Sequence, residues 1–191
     1  MPEKYITTKP YGEAEMEVKK SRFITSLKRI ETEDEAKTFI AGLKKTHWKA
    51  NHNCSAYVLG SNNEIQRSSD DGEPSGTAGV PMLEVLKKNQ LSNVCVVVTR
   101  YCGGTKLGAG GLISAYSHAV SHGLTELGLV IGKPQQEIRL TIAYSLLGKL
   151  QSFLENQWHT EDTLFTEAVT VICLIDEEKV PDFTEQVIDL L

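Results

Sequence analysis

The sequence lacks any hydrophobic run long enough to cross a membrane. None approaches the about 20 consecutive apolar residues that a spanning helix requires. The amino terminus also lacks a basic stretch followed by an apolar core, which is the pattern of a secretion signal. These two absences lead us to expect a protein that stays in the cytoplasm.

The chain has few cysteines, and their spacing argues against both a disulfide-rich domain and a zinc-binding domain. The chain has four cysteines without a Cys-x-x-Cys pair, so we expect neither a disulfide framework nor a structural zinc site. Cys95 and Cys173 stand in apolar, strand-like runs, where a buried reduced thiol is the usual state. We expect no cofactor.

An excess of positive charge is also absent, but the charge is unevenly distributed. The net charge is −5. Residues 1–134 contain 17 Lys and Arg against 14 Asp and Glu, whereas residues 135–191 contain 3 against 11. Because phosphate contacts need clustered cations, the acidic second part is unsuited to nucleic acid and the first part remains eligible.

Hydrophobic periodicity predicts an α+β first domain over residues 1–132. We expect a strand over 15–27 and a helix that begins after Thr32 as N-cap, with Ala36, Phe39, Ile40 and Leu43 as its buried stripe. A polar turn at 60–63 predicts a hairpin between strands 53–59 and 64–68. A helix carrying Met82, Val85 and Leu86 follows. The unbroken apolar run 93–101 predicts a central strand, followed by a helix over 112–127.

The breaker pair in Gly132-Lys133-Pro134 coincides with the change from basic to acidic composition and predicts a domain boundary. Beyond it we expect a strand (137–144), a helix (146–157), two strands (160–165 and 168–175) and a helix (181–191). This βαββα order predicts a ferredoxin-like domain over 135–191 whose last strand is missing.

Two glycine-rich segments, 70–81 and 103–111, flank the predicted central strand, and each leads into a helix. A helix that begins after Gly110-Gly111 would form an anion-binding site, because its free N–H groups and positive dipole end favour negative charge. Lys106 and Arg100 would add positive charge beside it. The alternative is that these glycines only allow tight turns and close packing. The candidate ligand- or RNA-binding residues are Gly76, Thr77, Arg100, Tyr101, Gly103, Gly104, Lys106, Gly108, Gly110 and Gly111.

Three carboxylates, Asp70, Asp71 and Glu73, stand within four residues. They would suit Mg²⁺ coordination or general base work. We favour the simpler interpretation, a polar loop in which Asp70 or Asp71 caps a turn. Thr77 is a candidate to cap the following helix or to offer a hydroxyl to an anion.

Histidines provide the other candidates for chemistry. His47, Trp48, His52 and Cys54 are close in sequence, but packing of Trp48 against the sheet explains this cluster more simply than catalysis. His118 and His122 are four residues apart on a predicted helix, where a solvated helix face is the simpler explanation. We therefore predict no catalytic residue.

Two long motifs resemble the IMPACT family, in particular its bacterial members of the YigZ/YvyE type. They are Asp70-Asp71-Gly72-Glu73-Pro74-Ser75-Gly76-Thr77-Ala78-Gly79 and the run from Thr99 to Leu112 that contains Lys-Leu-Gly-Ala-Gly-Gly. The resemblance implies a left-handed βαβ first domain similar to domain IV of elongation factor G, and a second domain similar to domain V of that factor. Those likenesses to elongation factor G imply a ribosome, tRNA or other RNA partner. Eukaryotic relatives regulate translation initiation through a partner system that is itself eukaryotic.

The sequence therefore favours a non-catalytic RNA- or ribosome-associated protein linked to regulation of translation. Two alternatives stay open. One is an Mg²⁺-dependent enzyme for a phosphorylated small molecule or nucleotide, with Asp70, Asp71 and Glu73 as metal ligands. The other is a protein-interaction module whose acidic second domain binds a basic protein.

Overall fold

The computed structural model describes residues 4–191, which form an α+β protein of two compact units, 4–132 and 133–191. Within these residues, no helix has the length and apolar character to span a bilayer. The first unit contains β1 (Tyr5–Thr8), β2 (Tyr11–Val18), β3 (Ser21–Arg29), α1 (Glu33–Thr46), β4 (His52–Leu59), β5 (Ile65–Ser69), α2 (Gly79–Lys88), β6 (Val94–Tyr101), α3 (Gly108–Leu127) and β7 (Leu129–Gly132).

The main sheet of the first unit is antiparallel, with strand order β2-β3-β6-β4-β5. Strand β6 is central, as its apolar run predicted, and alternation sends its side chains to two cores. Val94, Val96 and Val98 join the core under α2 and α3. Cys95 joins a second core with Ala36 of α1 on the opposite face. The sheet is thus covered on both sides.

Three elements of the first unit, α1, the β4–β5 hairpin and α2, lie where their local sequence patterns predict them. Thr32 caps α1 by accepting a hydrogen bond from the Glu35 backbone N–H at 3.2 Å. The β4–β5 hairpin and α2 also lie where they were predicted. These elements depend on short-range sequence patterns, which is why they could be found without the fold.

Two predictions for the first unit were wrong, and one pair of strands was not predicted. The strand expected over 15–27 is a hairpin of β2 and β3, because Lys19 and Lys20 both adopt positive φ (46° and 70°) and reverse the chain. Helix α3 begins at Gly108 rather than 112, so part of the second glycine segment is helical. The short antiparallel pair β1–β7 was missed.

The second unit contains β8 (Gln135–Ile142), α4 (Leu147–Leu154), β9 (His159–Phe165), β10 (Val169–Asp176) and α5 (Val180–Leu190), with 3₁₀ turns at Tyr144–Leu146 and Glu177–Lys179. Its described strands form an antiparallel sheet in the order β8-β10-β9. Leu150 of α4 and Phe183 of α5 are fully buried against Val171 and Cys173 of β10. The observed element order is the predicted βαββα.

Candidate functional site

Two loops connect the sheet of the first unit to its two buried helices. The first loop (residues 70–78) follows β5 and leads into α2, and the second loop (residues 102–107) follows β6 and leads into α3. Both were singled out from the sequence by their glycines. The two loops differ in their surroundings. Polar contacts hold the first loop in place, and the second loop is largely exposed to solvent.

Asp70 caps helix α2 from eight residues away. Its carboxylate accepts hydrogen bonds from the backbone N–H groups of Gly76 (2.9 Å), Ala78 (3.1 Å) and Gly79 (2.8 Å). Burial raises the pKa of Asp70, but these backbone donors outweigh burial and hold it below its ordinary value. The prediction that an aspartate caps this loop is confirmed. Thr77 does not cap the helix, since its hydroxyl donates to the carbonyl of Pro74 at 2.6 Å.

Glu73 is buried and accepts from two buried donors. The Arg100 guanidinium lies 2.6 Å from its Oε1 and the Tyr116 hydroxyl 2.8 Å from the same atom. Nε2 of His52 lies 3.6 Å away. Burial, with further contributions from Cys54 and Glu73, raises the pKa of Tyr116. This cluster links the first loop to β6, α3 and β4, so its charges are paired inside the protein and are not available at the surface.

Asp71 fastens the same loop to the end of α1. Its carboxylate accepts from the backbone N–H of Asn53 at 2.7 Å and lies 3.1 Å from Nζ of Lys44. Its backbone carbonyl lies 2.9 Å from Nδ1 of His52. The three carboxylates of the first loop therefore face three different sets of donors. In the described part of the chain, no group of three or more His, Cys, Asp or Glu is arranged to hold a metal ion.

The second loop packs on the turn between β2 and β3. A Cβ atom added to Gly103 would stand 1.9 Å from the carbonyl oxygen of Lys20, so only glycine allows this approach. On the other side, the backbone N–H of Cys102 donates to Oδ1 of Asn51 at 2.9 Å. Three segments meet here as a result: the Lys19-Lys20 turn, the second loop, and residues 47–51 after α1.

Tyr101 lies half-buried at this junction, where two side chains contact it. The Arg22 guanidinium stands 5.3 Å from its ring centroid, within the range of a cation–π contact. His47 hydrogen-bonds the Tyr101 hydroxyl through Nδ1 at 2.8 Å and packs edge-on against the ring. The aromatic ring thus lies between two groups that carry or can carry positive charge.

Helix α3 begins beside a small groove without a side-chain cap and without an acidic residue in its first turn. The groove has a volume of about 280 Å³, and Lys19 and His118 line it together with Leu107 and Gly111. None of its lining residues is acidic. Unpaired N–H groups at a helix start attract anions. Lys19 and the start of α3 therefore favour an anion here, whereas Met16, Val18, Leu107 and Ala115 make half of the lining apolar.

The structure separates the predicted site residues by exposure. The open positions are Gly76, Gly104, Lys106, Gly108 and Gly110, and the half-buried ones are Tyr101, Gly103 and Gly111. Thr77 (4% exposed) and Arg100 (6% exposed) are buried. The expectation that Arg100 is a surface cation is corrected, because its charge is committed to Glu73 inside the protein.

Sequence reasoning missed the cations that do surround the second loop. Lys19, Lys20 and Arg22 are exposed and reach it through the β2–β3 turn, which was predicted as continuous strand. The placement of Trp48 was also wrong, since 73% of this residue is exposed and it does not pack on the sheet. The turn at Lys19 and Lys20 has no glycine or asparagine, so none of the usual turn signals marks it.

Both units of the chain match known protein domains, and relatives of the whole chain are known. Residues 19–124 match the Impact N-terminal domain, and residues 140–191 match a domain of unknown function, DUF1949. IMPACT family member YvyE of Bacillus subtilis is 50% identical over 97% of this chain and 86% of its own length. IMPACT family member YigZ of Escherichia coli is 40% identical over 72% of this chain and 69% of its own length.

A solved structure also resembles the chain in fold. A crystal structure of a protein described as hypothetical superposes with a TM-score of 0.67 at 31% identity, and the match covers 99% of this chain and 93% of the other. With a matching domain over more than half of its residues and a relative at 50% identity, this chain belongs to the IMPACT family.

Proposed function

We propose that this protein is a non-catalytic RNA-binding protein that acts on the ribosome or its RNA in the regulation of translation. One observation carries the proposal: exposed cations from separate segments surround the open start of α3. Lys19 and Lys20 come from the β2–β3 turn, and Lys106 comes from the second loop. Clustered cations beside free backbone N–H groups are what phosphates bind.

One neighbouring acid, Glu15, pairs with Arg22 at 2.7 Å, and the other acids leave the surroundings of the second loop positive. No Asp or Glu occurs between residues 85 and 125, a range that contains the second loop and nearly all of α3. Glu73 is buried against Arg100, and the carboxylate of Asp70 faces the start of α2. The positive charge near the second loop is therefore set by Lys19, Lys20 and Lys106.

The glycines of the second loop support close approach of a phosphate backbone. Gly104 and Gly108 have positive φ (84° and 73°), and space is open where their side chains would be. Exposed backbone N–H groups in such conformations form anion-binding concavities. Glycine here keeps the N–H groups within reach of a ligand.

The link to translation rests on the family resemblance seen in the sequence. The proposed likeness of the two units to domains IV and V of elongation factor G also stays a prediction, as does docking of a basic protein on the second unit. That unit is a poor candidate for RNA, since residues 135–191 carry a net charge of −8.

A salt series tests the proposal. Affinity for a structured ribosomal RNA fragment is measured by fluorescence anisotropy for wild type and for Lys19→Ala/Lys20→Ala/Lys106→Ala. Each lost phosphate contact lowers the slope of log K against log salt by about 0.7–0.9. The triple variant should therefore bind more weakly and lose about 2 units of slope.

The matched control is Arg139→Ala/Lys149→Ala/Lys179→Ala, which removes the same charge from the acidic second unit. It should bind like wild type. Absence of wild-type binding at low salt, or equal losses in the two triple variants, would refute the proposed surface.

A further inference from the structure

Trp48 is the most solvent-exposed of the large apolar side chains in residues 4–191, at 73%. It stands in the short segment between α1 and β4. A large aromatic surface left in water gives up the free energy that burial would contribute. The fold provides no cover for this ring, although the sheet and its cores lie within a few residues of it in sequence.

The backbone around Trp48 is nevertheless tied down. The N–H of His47 donates to the Leu43 carbonyl at 2.8 Å, and the N–H of Ala50 donates to the His47 carbonyl at 3.0 Å. The N–H of Asn51 donates to the Arg100 carbonyl at 3.0 Å. The exposed ring therefore projects from a held turn, so a ligand that stacks on it need not order the chain first.

The segment around Trp48 is rich in lysine, and no other large apolar side chain between residues 12 and 79 is exposed. Nζ of Lys49 lies over one face of the Trp48 ring, 5.3 Å from its centroid, so a base would stack on the opposite face. Exposed Lys44 and Lys45 occupy the last turn of α1, and Lys44 pairs with Asp71 at 3.1 Å. No Asp or Glu occurs between residues 36 and 63. A lone aromatic ring among lysines differs from a protein-binding hot spot, which is set in a well-packed apolar surface.

The turn that carries Trp48 (residues 47–51, the Trp48 turn) lies beside the second loop. Asn51 accepts from Cys102 and His47 contacts Tyr101, so the Trp48 turn and the second loop are hydrogen-bonded neighbours. Aromatic rings beside cationic backbone grooves bind single-stranded nucleic acid, because a base stacks on the ring and its phosphates meet the cations. A duplex offers no such base, since its bases are already stacked.

We infer that Trp48 is a stacking platform for one unpaired base of an RNA whose phosphates lie along Lys49 and the second loop. This inference rests on the proposed function and specifies its ligand as RNA with a single-stranded element. Tyr101, whose ring is already contacted by His47 and Arg22, contributes to holding the turn.

The chain offers a direct spectroscopic test. It has two tryptophans, and Trp158 lies in the second unit, packed at 4.9 Å against Phe183. A Trp158→Phe variant therefore reports Trp48 fluorescence alone. Titration with a single-stranded 12-nucleotide oligo(U) or oligo(A) should quench this emission, whereas a 12-base-pair RNA duplex at equal occupancy should leave it nearly unchanged.

Affinity gives an independent readout. Trp48→Ala should weaken binding of the single strand about 5- to 150-fold and leave duplex binding unchanged, and Trp48→Phe should recover part of the loss. Ile131→Ala, which trims another exposed side chain of the same unit (64% exposed), is the matched control and should have no effect. Far-UV circular dichroism should show an intact fold in each variant.

The outcomes separate this inference from the proposed function. If RNA binds and responds to the Lys19/Lys20/Lys106 variant, but Trp48→Ala binds the single strand as tightly as wild type, the stacking platform is refuted and the RNA-binding proposal stands. If wild type binds neither RNA at low salt, both fail. If Trp48→Ala loses binding to a ribosomal protein and to no RNA, the inference is also overturned.

Discussion

The buried pair of Glu73 and Arg100 allows a quantitative test of how the first loop is held. Their side chains are 3% and 8% exposed, and the contact distance is 2.6 Å. Replacing either residue by Met leaves the other charge buried without its partner, which costs about 3–5 kcal/mol. Tyr116 would also lose its acceptor in Glu73→Met. For a chain of this size, each kcal/mol lowers the melting temperature by about 2–4 °C.

The double variant Glu73→Met/Arg100→Met decides whether the cost comes from the pair. It leaves neither charge buried, and replacing a buried pair by apolar residues of similar volume is often neutral or stabilising. We therefore expect the double variant to be more stable than either single variant, with a coupling of about 3 kcal/mol in the double-mutant cycle.

Urea denaturation followed by far-UV circular dichroism measures the free energies of unfolding, and hydrogen exchange assigns them to a unit. Protection should fall at the amides of β6 and stay unchanged at those of β10 in the second unit. Glu15→Met is the control, because the Glu15–Arg22 pair is half exposed (50% and 50%) and should matter far less. Single variants as stable as wild type, or costs that simply add, would refute the reasoning.

Two further predictions concern the loops. Gly103→Ala should destabilise the protein by at least about 1–3 kcal/mol, because the new methyl group would clash with the Lys20 carbonyl. Gly110→Ala is the control and should be neutral or stabilising, since nothing lies within 4 Å of its new methyl group. Equal effects of the two variants on thermal unfolding would contradict the packing of the second loop. Asp70→Asn should cost about 1 kcal/mol at pH 7. Since the folded pKa of Asp70 is depressed, its stabilisation is present above the unfolded pKa of about 3.9 and is lost as the pH falls through the folded value. The difference between wild type and Asp70→Asn in urea titrations should therefore shrink below about pH 4, and a difference that is constant down to pH 2 would show that the charge is irrelevant.

Most regular elements could be predicted because their signals are local. Thr32 followed by three acidic residues predicted the start of α1, and the apolar run of β6 predicted a central strand. The elements that were missed depend on long-range pairing or on unusual turns. Strand β1 pairs with β7 more than 120 residues later, and the Lys19-Lys20 turn has no glycine or asparagine to mark it.

The sequence by itself determined the two-domain α+β organisation, the family, and the segment in which the candidate site lies. Only the tertiary structure decided which large side chains of the first unit face water, and which residues from outside that segment lie beside it. Arg100 and Trp48 show why: both are large residues whose burial is set by what packs against them, and not by their own sequence neighbours. A buried carboxylate from the first loop holds Arg100 inside, and hydrogen bonds to β6 and the second loop hold the turn from which Trp48 projects into solvent.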